Sequence, residues 1–302
     1  MLSEFALIRK YFDRPAPSAA LGVGDDAALL RPDAGMELAV STDLLLEGRH
    51  FRAGTDARKL GHKALAVNLS DMAAMGAAPR WVTLALALPA ADEAWLEGFA
   101  KGFFALARRF GVELIGGDTT RGPLSICVTI LGEVPRGLAL YRAGAAPGDD
   151  IWVSGDLGGA ALGLAQPGNA AAAGRLDEPE PRVELGERLR GLASAAIDVS
   201  DGFAQDLGHI LERSGVGAVV HCEQLPKFAG ADLQQALSGG DDYELVFAAR
   251  QDRRAEIEAL SKELGLALSR VGSMQKGEPK LQLLGGDGAA IVPARGFDHF
   301  AA

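Results

Sequence analysis

Glycine next to aspartate recurs where apolar stretches of this chain begin or end: GVGDD (Gly22 to Asp26), IGGDT (Ile115 to Thr119), SGDLGG (Ser154 to Gly159), VSDG (Val199 to Gly202) and SGGDD (Ser238 to Asp242). Glycine reaches positive φ and admits close backbone approach, while aspartate favours turns. A chain punctuated this way folds into many short elements whose tight connections present carboxylates. Glycine makes up 39 of 302 residues, about 13% against a usual ~7%. These glycines are dispersed singly or in pairs, so they do not form a flexible tract. Any one junction can also be an ordinary turn, because Gly and Asp are common turn residues.

At about 150 residues per domain the 302-residue length suggests two domains. Hydrophobic residues at 48% and charged residues at 23% are those of a globular chain rather than a disordered one. The 30 basic against 40 acidic residues give a net charge of −10, with no electrostatic footprint for nucleic acid or an anionic membrane. A phosphate-bearing ligand would need local neutralisation. The apolar run Trp81 to Ala91 falls well short of the roughly 20 residues of a membrane span, and MLSEFALIRKYF lacks a signal-peptide charge order. Cys127 and Cys222 offer neither a disulfide framework nor zinc spacing, which makes the cytoplasm the expected location.

The first half alternates strand and helix patterns. Strands are expected at Glu37 to Leu46, Trp81 to Leu88, Val112 to Ile115 and Leu124 to Val134, with helices at Asp56 to Met75 and Asp92 to Phe110. The stripe Trp95, Phe99, Phe103, Leu106 and Phe110 reads as a helix face turned to the core. Arg142 to Asp150 (RAGAAPGDD) has boundary composition, so domains are expected at 1–138 and 139–302. The second half continues with strands at Ile151 to Val153, Ala195 to Val199, Ala218 to His221, Tyr243 to Ala249, Leu266 to Val271 and Leu281 to Leu284. Helices are expected near Ala160 and at Phe203 to Ser214, Asp232 to Leu237 and Arg253 to Leu264. SGDLGG could place a phosphate on a helix N-terminus, yet its spacing is not the dinucleotide fingerprint and a structural crossover is the preferred reading. Ala165 to Arg182 looks like an exposed loop or frayed helix end.

Six aspartates stand beside turn signals or inside apolar segments: Asp26, Asp43, Asp71, Asp118, Asp198 and Asp201. Ser41 and Thr42 precede Asp43, and Ser200 lies between Asp198 and Asp201. Asp71 lies on a helix of small and apolar residues, where an unpaired charge is costly, with Asn68 one turn earlier on the same face. Each alone can be a cap or turn residue. Together, with no His/Cys cluster, they favour an oxygen-seeking cation such as Mg²⁺ shared with phosphates over zinc. Arg142 could meet a phosphate, His50 lies close behind Asp43, and no GxSxG elbow supports acyl-transfer hydrolysis.

The ordered motifs GVGDDAALL, STD, VNLSDMAAMGAAP, LIGGDTTRG, YRAGAAPGD, IDVSDGFAQDLGHI, SGGDDYELVF and GFDHF span nearly the whole chain and resemble the thiamine-monophosphate kinase family. The resemblance implies two mixed α/β domains of the aminoimidazole ribonucleotide synthetase type, a homodimer whose N-terminal domains share a β-barrel, and a C-terminal α/β domain completing the active site. It implies ATP and thiamine monophosphate as substrates. Its Mg²⁺ ligands fall on Asp26, Ser41, Thr42, Asp43, Asp71, Asp118, Asp198 and Asp201. Its ATP contacts fall on Gly117, Asp118, Arg142 and Ser200, and its thiamine-phosphate contacts on His50 and Phe297. Where the family usually reads GGED this chain has Asp241, so either Asp241 or Glu244 makes the remaining substrate contact.

An acceptor phosphate with a second pKa near 6 is already largely deprotonated at pH 7, so direct transfer with no dedicated catalytic base is expected. The implied carboxylates from both halves converge on the metal. The alternatives are another ATP-dependent enzyme of the same superfamily, such as a cyclo-ligase, or a noncatalytic nucleotide or Mg²⁺ sensor.

Overall fold

A computed structural model of the chain describes residues 4–294, 296 and 297, and leaves the last three residues of the GFDHF motif, 298–300, outside the described residues. Contacts divide the chain into two compact units, one built from Met1–Met72 and Ala77–Gly137, the other from Ala73–Gly76 and Leu138–Ala302.

The first unit contains α1 (Glu4–Tyr11), β1 (Met36–Leu46), α2 (Ala57–Ala74, shared with the second unit), β2 (Ala78–Leu88), α3 (Glu93–Phe110), β3 (Glu113–Arg121) and β4 (Ser125–Pro135). Its four strands form one sheet in the order β1-β4-β2-β3. β4 runs antiparallel to both neighbours, while β2 and β3 are parallel, as the α3 crossover between them requires. Asp92 starts α3 by accepting the amides of Ala94 and Trp95. The aromatic stripe does face inward: Phe99 and Phe103 are fully buried, and Trp95, Phe99 and Phe103 stack in succession at 5.1 and 6.0 Å.

Strand alternation sorts the sheet into two faces. Ile126, Val128 and Ile130 of β4 and Val82, Leu84 and Leu86 of β2 share the buried face, and the register adds Ser41, Asp43 and Leu45 of β1 to it. The opposite face carries Leu38 (41% exposed), Val40 (59%), Leu44 (51%) and Leu46 (37%). Among the described residues the sheet is open, with β1 and β3 as its edges, so a single chain forms no closed barrel.

β3 runs six residues beyond its expected end. The segment GGDTTR stays extended because each residue pairs with β2, Gly117 opposite Leu84 and Asp118 opposite Ala85. This Gly-Asp junction is therefore strand rather than turn.

The second unit is built on a seven-stranded sheet, in the order β11-β10-β7-β9-β5-β8-β6. Its elements are β5 (Asp150–Ser154), α4 (Gly159–Ala165), α5 (Ala170–Asp177), α6 (Val183–Leu189), β6 (Ala193–Asp198), α7 (Phe203–Ser214), β7 (Gly217–His221), α8 (Leu233–Ser238), β8 (Leu245–Ala249), α9 (Arg254–Leu264), β9 (Leu268–Gln275), β10 (Leu281–Leu284) and β11 (Ala290–Ile291). Ile151, Val153, Ile197 and Val246 of the central and edge strands pack with Phe203, Leu207 and Ile210 of α7 in one core cluster. No helix among the described residues is long and apolar enough to cross a membrane.

The expectation of an exposed loop or frayed helix end at 165–182 holds at 166–168, just past α4, and fails beyond it. Asn169 caps α5 by accepting the Ala172 amide, and Ala172 is fully buried. Arg175 and Arg182, at either end of the DEPEP stretch, both reach the buried Glu244. Long-range ion pairing orders a segment whose composition reads as linker.

Candidate active site

In the second unit two Gly-Asp junctions lie against each other. β6 ends at Asp198, and the turn that follows runs beside residues 240–244: the amide of Tyr243 donates to the carbonyl of Val199 at 2.9 Å and that of Asp241 to the carbonyl of Ser200 at 2.8 Å. Two glycines permit the approach. Gly202 has φ +122° and Gly240 φ +66°; a Cβ would stand 2.9 Å from Ser238 and 2.5 Å from the Ser200 carbonyl, respectively. A third segment joins them, as the amide of Phe297 donates to the Asp201 carbonyl at 3.1 Å and the Gln205 side-chain amide to the Phe297 carbonyl at 3.1 Å. The structure thus brings together Asp198, Ser200, Asp201, Asp241 and Phe297.

Asp241 itself has φ +58°, rare outside glycine, and its carboxylate accepts the Tyr243 hydroxyl at 2.9 Å. Glu244, the other possible substrate contact, is fully buried and committed elsewhere. Its carboxylate accepts Ser154 Oγ at 2.7 Å, Arg175 Nη2 at 2.8 Å, and Arg182 Nε and Nη2 at 2.6 and 2.5 Å. Glu244 is thus tied into a buried network with Ser154 and two arginines, while Asp241 stays in the turn with Tyr243.

Arg142 is exposed on the segment that runs along β6, where the Ala196 amide donates to the Tyr141 carbonyl at 2.9 Å. The Ser214 hydroxyl donates to the Arg142 carbonyl and accepts the amides of Gly144 and Ala145, each at 3.2 Å. At α4 the phosphate option disappears. The amide of Gly158 donates to Asp242 at 2.8 Å, so the chain's own carboxylate occupies the position.

Two functional neighbours escaped the sequence reading. Asp206, in the first turn of α7, accepts the amides of Ser200, Asp201 and Gly202 at 3.0, 3.1 and 3.1 Å. Its sequence signal is an aspartate in the first turn of a helix whose N-cap, Gly202, has no side chain to cap with. Asp242 has the comparable role at α4. Burial, reinforced by the charges of Asp198 and Asp201, raises the Asp206 pKa to about 8, and burial raises that of Asp242 to about 7.

Unfolded aspartates titrate near 3.9. Between about pH 4 and pH 8 the folded chain therefore binds more protons than the unfolded chain, and stability from these two groups, full below pH ~4, is lost as pH rises through 7 and 8. Denaturant melts without divalent ions are expected to give a lower midpoint at pH 8.5 than at pH 5.5.

In the first unit Ser41 Oγ donates to Asp71 Oδ2 at 2.5 Å, joining β1 to α2. Asp43 shares that face of β1 by alternation. Thr42 does not, because its hydroxyl is on the other face, 2.8 Å from Thr129 Oγ1. Asp118, paired with Ala85, takes the same open face as Thr42 by register, and its carboxylate accepts the Thr119 amide at 2.8 Å. Gly117 precedes it in β3, with its backbone against that of Leu84. Asp26 lies on an exposed turn, its amide on the Asp25 carboxylate at 2.9 Å. His50 follows β1, and its Nδ1 accepts the Leu46 amide at 3.0 Å, which leaves Nε2 as the protonated nitrogen of the neutral ring.

Among the described residues no three His, Cys, Asp or Glu side chains are gathered closely enough to hold a metal ion by themselves. Mg²⁺ typically takes one or two carboxylates plus substrate phosphates rather than an all-protein cage. The donors present are all oxygen. Asn68 adds another on α2: it is fully buried, its Nδ2 donates to the Ala64 carbonyl at 3.1 Å, and its Oδ1 has no hydrogen-bond partner.

Residues 24–134 match the family AIR synthase related protein, N-terminal domain, and residues 146–283 its C-terminal domain. The thiamine-monophosphate kinase of Salmonella typhimurium strain LT2 is 44% identical, over 99% of this chain and 98% of its own length. The crystal structure of thiamine-monophosphate kinase from Stenotrophomonas maltophilia K279a is similar with a TM-score of 0.86 and 49% identity, over 96% of this chain and 98% of that one. AaThiL complexed with AMPPCP and TMP is similar with a TM-score of 0.78 and 29% identity, over 98% of this chain and 96% of that one. With both AIR synthase related domains in order and this degree of identity along its length, the chain belongs to the thiamine-monophosphate kinase family.

Proposed function

We propose that this protein transfers the γ-phosphoryl group of ATP directly to thiamine monophosphate, giving thiamine diphosphate and ADP. The observation that carries the reading is the junction in the second unit, where just after Asp198 the carbonyls of Ser200 and Asp201 accept the backbone amides of Asp241 and Phe297. Metal-side and acceptor-side groups meet there in a chain 44% identical over nearly its full length to a thiamine-monophosphate kinase.

The residues that would hold Mg²⁺ are Asp26, Ser41, Asp43, Asp71 and Asp118 in the first unit and Asp198 and Asp201 in the second. Thr42, its hydroxyl turned to Thr129, would offer its main-chain oxygen. Bound there, Mg²⁺ would neutralise phosphate charge and lower the repulsion between two anionic substrates. Gly117, Asp118, Arg142 and Ser200 serve ATP; the exposed Arg142 guanidinium can form paired hydrogen bonds to a phosphate. His50, its ring held by the Leu46 amide on Nδ1, serves the acceptor phosphate. Phe297 stacks on the acceptor's cationic ring system, and Asp241 contacts the same substrate. No residue is needed as a base, since the attacking phosphate oxygen is already deprotonated at neutral pH.

The exposed stripe Leu38, Val40, Leu44 and Leu46 on an edge strand supports a homodimer formed through β1, with the open sheets of two chains closing a shared barrel. Val40→Asp is expected to shift the protein from dimer to monomer in sedimentation velocity.

Incubating the protein with ATP, MgCl₂ and thiamine monophosphate, followed by chromatography, tests the activity. Thiamine diphosphate and ADP in equal amounts are expected. ATP binding without product would leave a sensor and refute the kinase reading.

A further inference from the structure

We propose that Asp206 is a positioning residue which sets both sides of the reaction through a single turn of backbone: the carboxylates of Asp198 and Asp201 on the metal side, and Asp241 and Phe297 on the acceptor side. The proposal rests on the roles given to those four residues above. Asp206 is 2% exposed, and one of its oxygens, Oδ2, collects the consecutive amides of Ser200, Asp201 and Gly202. Three successive N–H groups converge on one acceptor only when the backbone curls into a nest. These three amides lie at and before the N-cap of α7, Gly202, outside the helix's own hydrogen bonding, and Asp206 reaches back from the first turn to accept them.

Fixing the amides fixes the peptide planes, and with them the carbonyls on the other side. The Ser200 carbonyl holds the Asp241 amide, and the Asp201 carbonyl holds the Phe297 amide. The same planes set the direction in which the Asp201 side chain leaves the turn, while Val199, just after Asp198, is tied to residues 243 and 244 on both its amide and its carbonyl. The hydrogen bonds of the Asp206 side chain thus bear on both substrate classes, although it is too buried to touch either.

The test uses full-length Asp206→Asn, which keeps a neutral acceptor oxygen of the same size, and Asp206→Ala, which keeps none. Mn²⁺ binding is followed by electron paramagnetic resonance in the presence of AMPPCP, and KM for thiamine monophosphate is measured at saturating metal. Asp206→Asn is expected to bind Mn²⁺ about tenfold more weakly, as replacements behind metal ligands typically do, with the KM for thiamine monophosphate raised alongside. Asp206→Ala is expected to show larger changes in both. A kcat that falls only with the folded fraction, with Mn²⁺ affinity and KM unchanged in Asp206→Asn, would overturn the proposal. If the wild-type protein makes no thiamine diphosphate, the kinase reading fails, and the Mn²⁺ measurement still decides the role of Asp206.

Discussion

Asp71→Ala is expected to lower the rate of thiamine diphosphate formation roughly a thousandfold or more while leaving the chain folded. Asp71 is half-buried on a helix whose neighbours Leu69, Ser70, Met72 and Ala73 are buried, and its carboxylate takes the Ser41 hydroxyl. A charge in such a setting is costly unless something binds it, so on the proposed metal role deleting it costs little stability and takes away a Mg²⁺ ligand. Asp43, on the same face of β1, is expected to respond alike as Asp43→Ala. The measurement is kcat at saturating ATP and MgCl₂, with far-UV circular dichroism and a thermal melt alongside. A near-normal kcat in either variant would remove these residues from the metal platform.

Glu244→Ala is expected to act in the opposite way, through stability. The Glu244 carboxylate is met by Ser154, Arg175 and Arg182, all within 2.8 Å. Removing the anion leaves Arg182, 15% exposed, and Arg175, 25% exposed, partly buried without their partner. Breaking a buried pair on one side typically costs about 3–5 kcal/mol, which for a domain of this size lowers Tm by roughly 10 °C. α5 and the 178–182 stretch should lose protection from hydrogen exchange first, because those arginines anchor them. Substrate KM values measured well below the melting temperature should stay close to wild type. A large KM change without destabilisation would instead return Glu244 to the substrate.

These two residues also mark what could be read from the sequence and what could not. Asp71 stood out because a charge interrupts an apolar helix, a local signal. Glu244 and Asp241 were indistinguishable in GGDDYE, since only the fold shows that Glu244 pairs with two partly buried arginines while Asp241 takes positive φ. Helices α3 and α7 were legible from the spacing of Phe99, Phe103 and Leu106, and of Phe203, Leu207 and Ile210, because burial of one face imposes that period.

β3 was cut short because glycines carry no side-chain pattern, and its extension depends on pairing with β2. α5 was hidden in alanine, glycine and proline because its order comes from Asn169 and from an ion pair about 70 residues away in sequence. The candidate carboxylates stand out in the sequence one at a time, by a turn signal or by apolar surroundings. Asp206, which organises a turn rather than lining the site, carries no local sign of that function beyond the bare glycine cap.

The most direct test of the account is the stereochemistry of transfer from ATP carrying a chiral, isotopically labelled γ-phosphorothioate to thiamine monophosphate. Direct in-line attack predicts inversion at phosphorus in the product. Retention would reveal a phosphorylated enzyme intermediate and contradict a mechanism in which the chain's carboxylates organise two phosphates without joining either of them.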